Sequence, residues 1–223
     1  MKLTPQEIAL IDETLVLNGL IYEDIKLEVV DHIASEIEEK LTLEQVSFEA
    51  AFKEIFENWK DELRPSYSRL VDKRHSKPKL VTHKCHSLAK KQLVIALLIS
   101  LLTSFLLLGL IRNFNNEMVI SSIKTGFRIL CLVSGFSILI SRFLIWKSKH
   151  ITTYGYLFKN NYLVLTPYMF LVGFGLFPLK HFDSNLPSNF VFVFFPILFF
   201  VTSIFCLFLV FKHFQFDKKL AKI

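Results

Sequence analysis

Four long apolar stretches after residue 92 constrain the fold of this sequence more than any other feature. Each is long enough to cross roughly 30 Å of hydrocarbon as a helix. The predicted spans are residues 93–111, 127–146, 162–179 and 190–211. A soluble domain of 223 residues with 52% apolar residues and 24 Phe could not bury these side chains in one core. The sequence therefore predicts an integral membrane protein.

The basic residues of the loops predict the orientation of these spans. Residues 63–92, before the first span, carry nine Lys or Arg and one acid, Asp72, whereas the next loop has only Arg112 and Lys124 with Glu117. Lys and Arg favour the cytoplasmic side of a membrane. The later loops continue the alternation, and the N-terminal segment lacks the features of a secretory signal. We expect a multi-pass protein of the inner (plasma) membrane with both termini in the cytoplasm.

The charges divide the chain into two parts. Residues 1–62 hold 16 carboxylates and five Lys, a net charge of −11, and the remainder sums to +17. Most of the basic residues lie beside apolar runs, where Lys and Arg contact anionic lipid head groups. This placement favours the bilayer over nucleic acid as the partner of the basic part. The acidic part is predicted to bind a protein partner or the basic residues of its own chain.

The acidic part is predicted to form three short helices. The first begins at a capping box, Thr4-Pro5-Gln6-Glu7, and stops at Asn18-Gly19. The second carries apolar residues at four-residue spacing from Ile25 to Ile37. The third is capped by Ser47 and ended by Arg64-Pro65.

A family resemblance covers about residues 5–63. The run from Asp24 to Ile37, followed by Ser47-Phe48-Glu49-Ala50-Ala51-Phe52, resembles the small α-helical HAAS domain that precedes membrane helices in many bacterial proteins. It is also similar to the prefix domain before some bacterial ABC permeases, although the Gly usual before the Ser is absent. The resemblance implies a cytoplasmic signalling or regulatory accessory and brings no catalytic residues. Its motif residues in this chain are Glu28, Asp31, His32 and Glu36.

Two clusters contain residue types that ligate metals. One is the set of motif residues just named, and the other is His83-Lys84-Cys85-His86. A single helix rarely supplies a whole metal site, and adjacent ligands do not match the spacing of structural zinc sites. The chain also lacks a glycine-rich phosphate loop, a nucleophile elbow and a His-Glu-x-x-His helix. We therefore predict no metal, no cofactor and no enzymatic activity.

Within the predicted spans there is no Asp, Glu or His, which disfavours an ion-coupled pump or an intramembrane protease. Two pairs of small residues, Ser100 with Ser104 and Ser137 with Ser141, would let helices approach closely. They fit either the packing of one monomer or the seam of a homo-oligomer.

The sequence as a whole predicts an all-α protein with three parts. These are a three-helix cytoplasmic domain (residues 1–62), a basic juxtamembrane linker (63–92) and a four-helix transmembrane bundle with a short basic tail (93–223). The expected function is regulation or scaffolding, with the acidic domain docking a partner. The alternative is an accessory or permease component of a transporter, favoured by Pro167 and Pro196 inside spans. The cations expected to contact lipid or a partner are Lys73, Arg74, Lys77, Lys79, Lys84, Lys90 and Lys91.

Overall fold

A computed structural model describes residues 2–114, 116–177 and 188–220. This part of the chain is mainly helical, as predicted, and also contains one two-stranded antiparallel hairpin. The elements are α1 (Pro5–Leu17), α2 (Glu23–Leu43), α3 (Phe48–Leu63), β1 (Pro65–Ser68), β2 (Asp72–Pro78), α4 (Lys79–Phe114), α5 (Glu117–Lys147), α6 (Thr153–Gly173) and α7 (Ser188–Leu220).

The predicted ends of the first three helices are confirmed where local capping determines them. The Thr4 side chain accepts a hydrogen bond from the Glu7 backbone, and the Glu7 carboxylate accepts one from the Thr4 backbone. Gly19 has a φ of +84°, a left-handed conformation that favours glycine after the last turn of a helix. The Ser47 hydroxyl accepts from the Ala50 N–H at the start of α3.

The region predicted as a linker is ordered into a hairpin and the first turns of a long helix. Pro65 of β1 lies opposite Pro78 of β2, and the Lys79 N–H donates to the Arg64 carbonyl at 2.9 Å. Both prolines lie at the ends of the hairpin, where a missing N–H is tolerated. Helix α4 begins directly after Pro78 and continues without a break through residues 93–111. The basic segment is therefore a structured connection.

Three helices of the described chain are long and apolar enough to cross a membrane: Lys79–Ile111, Glu117–Lys147 and Phe190–Leu220. They contain the first, second and fourth predicted spans. Large apolar side chains on the outer faces of α4 and α5 are exposed, for example Leu102 and Ile140. Exposed apolar faces of this extent suit contact with lipid.

The predicted third span, 162–179, differs from the helix found there. Helix α6 runs from Thr153 to Gly173, and the turn that follows has Gly175 at a φ of +74°. The polar run Lys159-Asn160-Asn161 lies in the first half of α6 and lowers its mean hydropathy, so α6 is not among the three candidate spans. Residues 178 and 179 lie outside the described residues.

Helices α4 to α7 pack alongside one another, with α7 in contact with the other three and α6 in contact with both α5 and α7. A Cβ atom on Gly173 of α6 would lie 2.5 Å from Leu132 Cγ of α5, so only glycine permits this approach. Helix α5 is joined to α7 by a 2.6 Å hydrogen bond between the Ser134 and Ser203 hydroxyls. Of the predicted small pairs, Ser100 and Ser104 are fully buried.

One cluster of buried apolar side chains joins the acidic helices to the long helices. Ile25 and Val29 of α2 belong to the same cluster as Cys85 of α4, Phe158 of α6 and Leu209 of α7. Burial of this kind contributes about 25 cal/mol per Å² of apolar surface. The acidic helices are therefore held against the long helices through a shared core.

Candidate functional site

The candidate site lies where the acidic helices meet the long helices. Asp24, in the first turn of α2, has a side chain that is 3% exposed. Its carboxylate accepts a 2.7 Å hydrogen bond from the Thr153 N–H and a second, short one from the Thr153 hydroxyl. The carboxylate thus satisfies the first N–H of α6, a donor that has no partner within a helix. Its negative charge also lies at the positive end of the α6 dipole.

A cation completes this contact from α4. The Lys84 ammonium lies 3.7 Å from the Asp24 carboxylate and 3.8 Å from Glu28. Buried carboxylates require such partners, because an unpaired charge away from water is costly. One residue before Asp24, the Glu23 N–H donates to the Ile151 carbonyl at 2.8 Å. The start of α2 is therefore bound to both α4 and the α5–α6 loop.

His213, near the end of α7, contributes to the same site. This side chain is 1% exposed, and its Nδ1 lies 2.8 Å from the Thr152 hydroxyl. That hydroxyl also accepts from the Gly155 N–H at 3.1 Å. The other ring nitrogen of His213, Nε2, is buried without a hydrogen-bond partner among the described residues. We call Asp24, Lys84, Thr152, Thr153 and His213 the polar junction.

A second set of contacts joins the hairpin to α6. The Tyr156 hydroxyl donates to the Asp72 carboxylate at 2.8 Å, and the Lys77 ammonium lies 4.1 Å above the Tyr156 ring. The Asn160 amide donates to the Val71 carbonyl at 3.0 Å. Tyr22 packs edge-on against Tyr156, and burial raises the pKa of the Tyr22 phenol, which therefore stays neutral. The hairpin is fixed against the long helices by these contacts.

Three of the cations predicted to contact lipid or a partner form ion pairs with carboxylates in the structure. Lys77 pairs with Asp72 of its own hairpin at 3.4 Å. Lys79 pairs with Asp61 and, at 3.0 Å, with Glu62, both at the end of α3. The Lys79 hydrogen bond holds the pKa of Asp61 below its ordinary value. The pairs made by Lys79 and Lys84 join the basic segment to the acidic helices of the same chain.

The other predicted cations are not part of the polar junction. Lys90 and Lys91 are exposed on α4, just before the apolar stretch that begins at Leu93. The side chains of Lys73 and Arg74 lie outside the described part of the structure.

The motif residues of α2 lie mostly on its outer face. Asp31, His32 and Glu36 are exposed, and Glu36 accepts a 3.3 Å hydrogen bond from the Trp59 ring N–H. Glu28 is directed toward Lys84. Among the described residues, no three His, Cys, Asp or Glu side chains are arranged to hold a metal ion.

Asp24, Thr152, Thr153 and His213 were not identified as site residues from the sequence. The sequence does contain a partial signal for the two threonines, since Thr152-Thr153 precedes an apolar run, where a helix N-cap residue is expected. No comparable local signal marks Asp24 as a buried residue, because its partner Thr153 is 129 positions away in the chain. Comparison with family models, curated proteins and solved structures finds no match to this chain.

Proposed function

We propose that this protein is a regulatory or scaffolding membrane protein whose acidic cytoplasmic domain docks against its own basic segment and can be released to a partner. The observation that carries this proposal is the buried Asp24 carboxylate, bound to Thr153 and Lys84. Polar contacts hold the start of α2 beside the shared apolar core, so a change in charge at these contacts can shift the equilibrium between docked and released states. The resemblance to domains that precede membrane helices supports the same role.

The exposed face of α2 is the proposed partner surface. Asp31, His32 and Glu36 remain accessible while Asp24 is docked. Exposed carboxylates at helical spacing present negative charge to a basic partner. Release of the domain would add Asp24 to this face and would free the already exposed Glu28 from Lys84. Docking thus controls how much of the acidic surface a partner can reach.

We further propose four membrane crossings with both termini in the cytoplasm. The polar junction supports this topology. It brings three segments together at one end of the long helices: the start of α4, the α5–α6 loop and the end of α7. These are the segments whose Lys and Arg residues predict a cytoplasmic location. Cysteines introduced at Asn116 should react with an impermeant thiol reagent in intact cells, whereas cysteines at Ser148 should not. Reaction at Ser148 from outside would overturn this topology.

The regulatory function is tested by capture of partners from mild detergent. The intact protein and an Asp24→Ala variant are purified side by side, and bound proteins are identified. We expect the variant to retain more of a specific partner, because its acidic face is released. An Asp31→Ala variant, in which only an exposed carboxylate changes, is the matched control and should bind less. Equal recovery with all three proteins would contradict the proposal.

The second candidate function is a transport component. It is favoured by Pro167 inside α6, because the hydroxyls of the two flanking residues, Thr166 and Tyr168, are buried without partners among the described residues. Broken helices with free polar groups occur in substrate paths. Recovery of ATPase subunits with the intact protein would support this candidate over the first.

A further inference from the structure

A cavity of about 330 Å³ lies between α4, α6 and α7, apart from the polar junction. Three amide side chains line it: Gln92 of α4, and Asn160 and Asn161 of α6. The other lining residues, most of them apolar, are Leu70, Ala89, Leu93, Val164, Leu165, Phe199, Thr202, Phe205 and Cys206. We call this space the amide cavity.

The amide cavity is a gap in the packing of the long helices. Helix α4 packs along α7 and makes only a small contact with α6, so the two walls stand apart and α7 forms the floor. Leu93 on one wall and Val164 on the other are both exposed. Exposed apolar side chains on membrane-spanning helices suit contact with lipid. The cavity can therefore be entered sideways, from the surface that faces the bilayer.

The amide cavity has a polar end and an apolar end. Helices α4 and α6 each run antiparallel to α7, so both enter the cavity from the same direction. On both walls the amides come first, because Gln92 precedes the apolar stretch that begins at Leu93, and Asn160-Asn161 precede Val164. The amides thus lie where the polar part of each helix gives way to the apolar part.

The lining indicates what kind of head group the polar end can bind. Amide side chains both donate and accept hydrogen bonds and carry no charge. The Asn160 amide is held in place by its 3.0 Å hydrogen bond to the Val71 carbonyl. None of the described residues that line the cavity is charged, so a charged head would leave water without an ion partner, which is costly. The polar end therefore suits hydroxyl and ester groups.

The size and the apolar end indicate a single hydrocarbon chain. Small-molecule sites have volumes of about 300–1,000 Å³, with mostly apolar walls and a few polar groups that fix orientation. At about 330 Å³, the amide cavity is near the lower limit and has room for one chain rather than two. Phe199 and Phe205 of α7 provide the apolar surface against which such a chain would pack.

We propose that the amide cavity binds a single-chain amphiphile with an uncharged, hydrogen-bonding head, of the chemical class of the monoacylglycerols. The amides of Gln92 and Asn161 bind the hydroxyl and ester groups of the head, and the chain lies between α4 and α6. The inference goes beyond the proposed regulatory function. It requires that α4 and α7 contact lipid and is independent of how the acidic domain docks.

The test is photochemical labelling of the full chain in phosphatidylcholine nanodiscs. The probe is a monoacylglycerol with a diazirine in its chain, and the labelled residues are identified by mass spectrometry. We expect labelling at Val164 or Phe205 to exceed labelling at Ile140, which is exposed on the outer face of α5, at least tenfold. Excess monooleoylglycerol should remove at least nine-tenths of the cavity labelling. The same amount of oleate or of a lysophosphatidylcholine should reduce it less than twofold.

Gln92→Leu and Asn161→Leu replace an amide by an apolar group of similar size, and each should reduce cavity labelling at least fivefold. Gln215→Leu is the matched control, because this exposed amide of α7 does not line the cavity. Thermal unfolding midpoints show whether each variant is folded, and competition in the unmodified protein decides the matter if a variant is not.

Labelling at Ile140 equal to that in the cavity would overturn the site, as would equal competition by all three lipids. Competition by oleate as strong as that by monooleoylglycerol would overturn the uncharged head. An equal loss of labelling in the Gln215→Leu variant would refute the role of the two amides.

Discussion

Replacement of Asp24 by alanine should release the acidic helices from the long helices. The substitution removes the acceptor of both the Thr153 N–H and the Thr153 hydroxyl, and leaves Lys84 with Glu28 alone. A hydrogen bond to a charged acceptor contributes about 1.5–3 kcal/mol. The Lys84 pair adds little to this sum, because the lysine side chain is 33% exposed and the interaction is screened by water.

The two bonds to Thr153 together give a loss of about 3 kcal/mol, since solvent recovers part of each bond when the contact opens. At about 1.4 kcal/mol for each factor of ten, the ratio of released to docked molecules should rise roughly 100-fold. Asp24→Asn keeps one acceptor oxygen and loses the charge. This variant should show an intermediate change of about tenfold, by the same conversion.

Amide hydrogen exchange of the intact protein in mild detergent measures this ratio. The Glu23 N–H is the reporter, because it donates to the Ile151 carbonyl across the contact and neither group is altered by the substitution. Asp31→Ala is the control, since it removes the same charge from an exposed position of the same helix. Exchange at Glu23 in Asp24→Ala within threefold of the unmodified protein would refute the assignment of Asp24 as the anchor.

Three further outcomes follow from other contacts. Gly173→Ala should cost about 1–3 kcal/mol of stability through its clash with α5, whereas Gly109→Ala, with open space around it, should leave the thermal midpoint nearly unchanged. Because the pKa of Asp61 is lowered, its contribution to stability is present above the unfolded pKa of about 3.9 and is lost as pH falls through the lowered value. In an acid titration of thermal stability, this loss should disappear in Lys79→Gln. Residues 1–62 expressed alone should give a helical circular dichroism spectrum but unfold more readily than in the intact chain, because they lose the shared core.

The helix starts and the strongest apolar stretches were predictable because their causes are local. The Thr4 and Ser47 caps each depend on residues within three positions, and the span at 93–111 depends on hydropathy alone. The hairpin was missed because its strands are short and rich in Ser, Lys and Pro, without an alternating apolar pattern. Its stability comes instead from distant contacts, such as Tyr156 with Asp72.

The polar junction could not be predicted because it joins segments that are remote in sequence. Asp24 meets Thr153, and Thr152 meets His213, only after four long helices have packed. In the sequence, Asp24 is one of 16 carboxylates among residues 1–62, and nothing local separates it from the others.

The contacts of the acidic helices differ in their exposure, and this difference determines how each responds to its surroundings. At the end of α3, Lys79 and its partners Asp61 and Glu62 are all at least 46% exposed, so added salt screens their interaction. At the start of α2, the Asp24 carboxylate is almost fully buried, and salt has little access to it. Added salt should therefore loosen the α3 end first, while the buried Asp24 carboxylate and the shared apolar core keep the start of α2 attached to the long helices.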